Sequence, residues 1–203
     1  MLKEIFEQPQ AIIAACEQPK EKISELSALI KNAGRVYLAG CGSSFHACIC
    51  ASYFLGKIAN VQAMPILASE YSVHRPFFDE KTLVLGVSQS GETADLLEAL
   101  KAAKSQGAKI ASIVNIMDSS VMRISDCSIL MNAGPEICVL STKSYTSQLS
   151  ILLLLAHAAA GKENECKSLL KSTAQSISGS LKSLDAQMAL LAKSLAKSKD
   201  IFV

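Results

Sequence analysis

Residues 82–95 read TLVLGVSQSGETAD: an apolar run from Thr82 to Val87, a cluster of small and hydroxylated residues from Ser88 to Thr93, then the start of a helical pattern at Ala94. That order, strand then tight loop then helix, recurs upstream. Arg35–Ala39 (RVYLA) stops at Gly40-Cys41-Gly42-Ser43-Ser44 and passes into a helical pattern over Phe45–Ala59. Val61–Leu67, Lys109–Val114 (KIASIV) and Cys127–Met131 (CSILM) complete a set of five short apolar runs, with a helix over Ala94–Ser105 among the connections. Short, continuously apolar strands that alternate with helices predict a parallel sheet covered on both faces, because each crossover lays a helix on the sheet. The fold class is therefore α/β, a doubly wound five-stranded parallel sheet flanked by helices.

Outside this unit the period is helical. Leu2, Ile5 and Phe6, then Ile12, Ile13 and Cys16, then Ile23, Leu26, Leu29 and Ile30 are spaced for short helices, with Pro9 and Pro19 suited to first turns and Gly34 to a C-cap. Downstream, Ser144–Ala160 reads as a long apolar helix and two Lys/Ser/Ala-rich amphipathic helices follow up to Ser198. The expected organisation is N-terminal helices over 1–34, the α/β domain over 35–161 and C-terminal helices over 162–199 leading toward a second domain. The run 200–203 is read as the start of a strand, the mark of a piece of a longer protein or of a truncation of one.

The 203 residues are 50% hydrophobic and 19% charged, enough apolar chain to bury a core and too little charge for disorder. The longest uncharged apolar run, Ile151–Ala160, is half of the roughly 20 residues a membrane-spanning helix needs, so no membrane association is expected. Lys3, Glu4 and Glu7 interrupt the stretch where a signal peptide would be apolar, which predicts a cytoplasmic chain. Seven cysteines with no C-x-x-C pair argue against a disulfide framework or zinc site, and His46, His74 and His157 share no metal-ligand spacing. No metal or cofactor is expected. A net charge of +2 and 5% aromatic residues leave little for a nucleic acid to bind.

In an open parallel sheet, ligands bind beyond the carboxyl ends of the strands. The loops there carry hydroxyls: Ser43 and Ser44; Ser88, Ser90 and Thr93 beside Gln89; Ser141, Thr142, Ser144 and Thr146. In Ser88–Thr93, Gly91 permits a turn other residues resist, and the following helix start offers unpaired N–H groups, which together suit a phosphate. The alternative is that Ser88 or Ser90 merely caps a helix. No P-loop is present, and Gly40-Cys41-Gly42 supplies two of the three glycines of a dinucleotide motif, with Phe45 in place of the third. Lys143, a cation at a helix start, calls for an anion: Glu136 or a bound phosphate. Glu70 and Glu92 are the candidate catalytic bases.

Three segments, Ala39–Ser44 (AGCGSS), Ser88–Asp95 (SQSGETAD) and Asn132–Lys143 (NAGPEICVLSTK), resemble the sugar isomerase (SIS) domain. They are most similar to the first of the two SIS domains in the isomerase half of the glutamine:fructose-6-phosphate amidotransferases, the glucosamine-6-phosphate synthases. The opening MLKEIFEQP is similar too. The resemblance implies that Ser88, Gln89, Ser90 and Thr93 grip a sugar phosphate, that Cys41, Gly42, Ser43 and Ser44 line the sugar, and that Val139, Leu140 and Ser141 close the third side. The family's N-terminal cysteine nucleophile is not at the start of this chain, which begins Met1-Leu2, and the family's second SIS domain supplies the enolisation base, ring-opening histidine and Schiff-base lysine.

The function expected from this is a hexose-phosphate-binding SIS domain, taking fructose 6-phosphate or glucosamine 6-phosphate, related to ketose–aldose isomerisation with amination and turning over poorly on its own. Two alternatives stay open. One is a complete small phosphosugar isomerase or glucosamine-6-phosphate deaminase working as a homodimer; the other is a non-catalytic sugar-phosphate sensor. Dimerisation is expected in either case, because the helix Ser144–Ala160 is apolar on more than one face.

Overall fold

The five apolar runs pair side by side in a computed structural model that describes residues 1–200. The strands are β1 (Arg35–Gly40), β2 (Ala63–Leu67), β3 (Thr82–Ser88), β4 (Lys109–Val114) and β5 (Cys127–Leu130). All neighbours are parallel, in the order β2-β1-β3-β4-β5. The α/β fold is the one the sequence predicts. Every residue of the central strand β3 is buried, which is why its sequence is continuously apolar rather than alternating.

Two faces of the sheet carry two separate cores. Val36, Leu38, Leu83, Leu85, Ala111 and Ile113 point to one side, where they meet α2 (Gln8–Cys16), α3 (Lys20–Asn32), α4 (Ser43–Phe54) and α8 (Lys143–Ala159), with α9 (Glu163–Leu195) packed beyond. Tyr37, Ala39, Val84, Ile110 and Val114 point to the other, under α6 (Ala94–Ser105) and α7 (Ser120–Ile124). Two short helices complete the chain, α1 (Leu2–Phe6) and α5 (Tyr71–His74).

Several elements differ from the sequence reading. The helix expected over Phe45–Ala59 ends at Phe54 and continues as a π-helical turn, Leu55–Ala59, stopped by Asn60 in a left-handed conformation. The two expected C-terminal helices are one helix of 33 residues: Gly179 lies in its interior with open space around it, and one glycine costs only about 1 kcal/mol there. Residues 201–203 of the expected terminal strand lie outside the described residues. Gly34 is not a left-handed cap; α3 ends at Asn32 with its C-cap, Ala33, in extended conformation, and Gly34 instead donates its N–H to the Lys81 carbonyl at 2.8 Å. Most consequentially, α8 is enclosed by α2, α3, α4 and α9 of its own chain, so its apolar faces are used internally and carry no argument for a dimer.

The strand order fixes where a ligand can sit. From β1 the chain first moves outward to β2 and then returns to the other side of β1 as β3, so the connections after β1 and β3 depart in opposite directions. A crevice opens between them at the carboxyl ends.

Candidate functional site

That crevice is a cavity of about 240 Å³ lined by Cys41, Ser43 and Ser44 after β1, Ser88, Gln89, Ser90 and Thr93 after β3, and Glu136, Cys138, Val139 and Ser141 from the loop between β5 and α8. Nine of the eleven residues predicted to contact substrate therefore share one cavity. Gly42 and Leu140 each stand between two lining residues in sequence but do not themselves line the cavity, and Leu140 faces solvent.

The β3–α6 turn is built around Gly91, whose φ of +65° is one that L side chains resist; a Cβ there would lie 2.2 Å from Ser119 Oγ. Ser88 Oγ accepts the Gly91 N–H at 3.0 Å and lies 3.2 Å from Thr93 Oγ1, while Ser90 Oγ accepts the Glu92 N–H at 3.2 Å. Two further backbone bonds tie the turn to the β4–α7 connection, Asn115 N–H to Gln89 O and Val121 N–H to Gly91 O. The hydroxyls thus hold the turn as well as facing the cavity. Thr93 is the N-cap of α6 and its side chain does not cap the helix, so the first-turn N–H groups are left for a ligand.

The N-terminus of α8 is different. Glu136 Oε1 accepts the Thr142 N–H at 2.9 Å, the Thr142 hydroxyl at 3.0 Å and the Ser144 N–H at 3.2 Å, and Glu136 Oε2 accepts from the Ser144 hydroxyl. A carboxylate of the chain itself already occupies the anion position of that helix. At α4 the Ser44 and Phe45 N–H groups already donate to the Cys41 and Gly42 carbonyls, so of the three helix starts around the cavity α6 is the one left to receive an external anion. Among the described residues, no lysine or arginine lines the cavity.

Lys143 has a partner that neither sequence alternative named. Its buried ammonium pairs with Glu7 Oε2 at 2.6 Å, across 136 residues of sequence. The proximity of Lys143 holds the Glu7 carboxyl below its ordinary pKa. Glu136, the expected partner, is committed to capping.

The two candidate bases do not reach the cavity. Glu92 Oε1 accepts the Ser120 N–H at 2.7 Å, and the Ser120 hydroxyl together with this amide lowers the carboxyl's pKa, so that it ties the β3–α6 turn to α7 as an anion. Glu70 ends the 3-10 turn Ala68–Glu70 and is solvent-exposed. Cys41 does face the cavity, and burial, with the Asp95 carboxylate, pushes its thiol up, away from the thiolate that a nucleophile requires. His74 packs against Tyr37 with ring centroids 5.7 Å apart, and His157 Nδ1 lies 3.0 Å from the Leu153 carbonyl oxygen. Among the described residues, no three histidine, cysteine or acidic side chains converge as a metal site.

Sequence reasoning missed Glu136 and Cys138 as lining residues and Gln148 behind them. Gln148 is buried in α8 and donates through Nε2 to Ser44 Oγ at 3.0 Å, joining the first and third walls. The signal for Glu136 was present: an acidic residue a few positions before a helix start is a capping pattern. Gln148 gave none, since a glutamine within an apolar helix reads as a solvent-facing position.

Comparison with known proteins adds to this geometry. Residues 29–158 match the SIS domain. The glutamine–fructose-6-phosphate aminotransferase (isomerizing) of Aeropyrum pernix is 41% identical over 164 residues, 80% of this chain and 27% of that protein. That of Thermotoga maritima is 41% identical over 162 residues, 76% of this chain and 27% of that protein. The chain thus spans about a quarter of the length of these curated relatives. Among solved structures, the C-terminal domain of glucosamine-fructose-6-phosphate aminotransferase from Francisella tularensis superposes with a TM-score of 0.84 at 30% identity, covering 97% of this chain and 59% of that one. With a family match across 29–158, the three loop motifs in one crevice and a parallel sheet in the order β2-β1-β3-β4-β5, the chain belongs to the SIS domain family.

Proposed function

We propose that the crevice binds a hexose 6-phosphate, fructose 6-phosphate or glucosamine 6-phosphate. The phosphate sits on the Ser88–Thr93 turn, and the sugar lies between Cys41–Ser44 and the Cys138–Ser141 wall. The observation that carries this reading is the uncapped start of α6 facing a small polar cavity whose other charged group, Glu136, is already neutralised by a helix start. Hydrogen bonds to a charged acceptor contribute about 1.5–3 kcal/mol each. Three or four of them, set against association costs, correspond to micromolar to millimolar affinity. The cavity is slightly smaller than the roughly 300–1,000 Å³ typical of drug-sized ligands, a scale that suits a phosphorylated monosaccharide.

The names of the relatives support the same substrate class and a relation to ketose–aldose isomerisation with amination. Moving a proton between C1 and C2 needs a base at the sugar. Glu136 is spent on α8, Glu92 on α7, and Glu70 is solvent-exposed and not among the lining residues, so this chain binds substrate and by itself turns it over slowly. A second copy of the chain belongs to the reading, docked on the outward stripe of α9, where Leu184, Met188, Leu191 and Leu195 lie exposed at intervals of four, three and four residues. A reducing, cytoplasmic setting agrees with seven unbridged cysteines. Among the described residues, no helix is long and apolar enough to cross a membrane.

Isothermal calorimetry with fructose 6-phosphate, glucosamine 6-phosphate, fructose and inorganic phosphate tests the proposal. The two phosphosugars bind, inorganic phosphate binds more weakly, and fructose does not register. Absence of heat with both phosphosugars, confirmed by unchanged melting at high ligand, refutes it.

A further inference from the structure

The wall that would contact the sugar is held by residues far from it in sequence. Between β5 and α8 the chain has no regular structure from 131 to 142. Its beginning is fixed by Asn115, which donates through Nδ2 to Gly134 O at 2.8 Å and accepts the Ala133 N–H at 3.0 Å, and its end by Glu136 on α8. The middle has no apolar anchor: Ile137 is 90% exposed, Val139 99% and Leu140 62%. Burial therefore does not define its path. Among the described residues, the backbone hydrogen bonds made between Ile137 and Leu140 are two, both to Glu4 Oε1: Ile137 N–H at 2.7 Å and Cys138 N–H at 3.2 Å.

Glu4 is buried although charged, with Oε2 facing the amine of Met1 at 2.9 Å. Nearby Glu7 neutralises Lys143 at the first position of α8, and Gln8 Oε1 accepts the Thr146 hydroxyl at 2.6 Å. Three polar side chains from Glu4 to Gln8 thus engage the wall and the helix that follows it, while none of them lines the cavity. A buried carboxylate is costly unless its oxygens are bonded, so the loop amides and Glu4 specify one another's positions.

Resting on the sugar-phosphate reading above, we infer that Glu4 is a positioning residue: the N-terminal helix straps the Ile137–Ser141 wall into place and so sets affinity for the sugar moiety while leaving the phosphate turn untouched. The turn and the middle of the wall are then held by different contacts, with Asn115 bonded both to the turn and to the start of the wall. The β3–α6 turn is held by Ser88, Ser90 and Gly91 and by backbone bonds from Asn115 and Val121, none of them from α1, whereas the middle of the wall depends on α1.

The test uses the full chain with Glu4→Ala and Glu4→Gln, reading fructose 6-phosphate and inorganic phosphate affinity by calorimetry and the unliganded proteins by amide hydrogen exchange. E4A weakens fructose 6-phosphate by about tenfold or more, the scale of one lost hydrogen bond of positioning, and leaves inorganic phosphate within about twofold. E4Q, which keeps an acceptor oxygen, recovers most of the difference. Exchange accelerates across Ile137–Ser141 in E4A and stays unchanged in β3 and α6. Equal loss of both ligands, unchanged fructose 6-phosphate affinity, or unchanged exchange in the wall overturns the inference. Failure of the unmutated chain to bind either ligand overturns the sugar-phosphate reading itself, and the exchange data then judge the strap separately.

Discussion

Gly91→Ala puts two independent costs on one atom. At a φ of +65° an alanine carries left-handed strain of about 1–2 kcal/mol, and its Cβ would stand 2.2 Å from Ser119 Oγ and 2.5 Å from Ser119 Cβ. Ser119 is buried, so it cannot swing away, and overpacking of this kind costs about 1–3 kcal/mol. The sum is about 2–5 kcal/mol. A second substitution separates the parts. Ser119 Oγ is buried without a hydrogen-bond partner, and it does not cap α7, whose N-cap position it occupies; Ser119→Ala therefore removes a desolvated hydroxyl at little or no loss. Ser119→Gly removes the colliding atoms, so in the G91A background it restores the overpacking share while the left-handed strain remains. Urea denaturation of the four proteins gives the coupling, expected at about 1–3 kcal/mol. Calorimetry with fructose 6-phosphate gives the functional half: G91A loses binding, because Ser88 Oγ and the α6 start are both placed through residue 91. A G91A protein of unchanged stability, or additive effects of G91A and S119G, refutes the account of the turn.

Other perturbations follow from the same geometry. Glu136→Ala leaves the Thr142 and Ser144 amides unpaired and lowers stability by about 1–2 kcal/mol by denaturant titration, as the loss of a helix cap does. Glu4 is held near a pKa of about 2 by the Ile137 amide and the terminal amine, and Glu7 is held low by Lys143. Carboxyls depressed in the folded state contribute stability that is complete above their ordinary pKa near 4.5 and is lost as pH falls through the depressed values, so melting temperature against pH declines below about 4.5, and E4Q flattens that decline. Glu7→Ala destabilises more than Lys143→Met, because the first strands a buried ammonium while the second leaves a carboxylate that water can reach. Under native conditions a maleimide labels neither Cys16, Cys48, Cys127 nor Cys166, all buried, and labelling of Cys41 slows when fructose 6-phosphate is present.

Local signals carried the sheet. TLVLGV, KIASIV and RVYLA are apolar because their strands are covered on both faces, and a residue's burial there depends on neighbours that any parallel sheet provides. The Ser88–Thr93 turn was legible for a similar reason: its glycine, its hydroxyls and its helix start lie within six residues, and their bonds close within the same segment. What failed depended on long-range pairing. Lys143 announced that it needed an anion, but sequence offered Glu136, seven residues away, and the structure uses Glu7. The sequence offers Glu70 and Glu92 as candidate bases; neither is among the cavity-lining residues, and the Ser120 amide bonds Glu92, a contact across 28 residues that no spacing reveals. The apolar faces of α8 suggest an interface between chains when the sequence is taken alone, whereas α2 and α9 from opposite ends of the sequence cover them.

These failures share a physical cause that bears on how the site works. A phosphate is small, symmetric and charged, and one turn with a helix start can hold it; recognition of that group can be written in contiguous residues. A sugar presents hydroxyls over a wider surface and has to be met from a second direction, by a loop after β5 whose middle is not anchored by the exposed Ile137, Val139 and Leu140. Such a loop must borrow its position, and here the lender is α1, more than 130 residues upstream. Substitutions within Ser88–Thr93 should therefore weaken every phosphorylated ligand alike, while substitutions at Glu4 or Glu7 should change the ranking among sugars bearing the same phosphate. Affinities of glucosamine 6-phosphate, fructose 6-phosphate and inorganic phosphate, compared across S90A and E4A, separate the two: parallel losses in the first and divergent losses in the second are expected, and parallel losses in both would mean that the wall and the turn respond as a single unit.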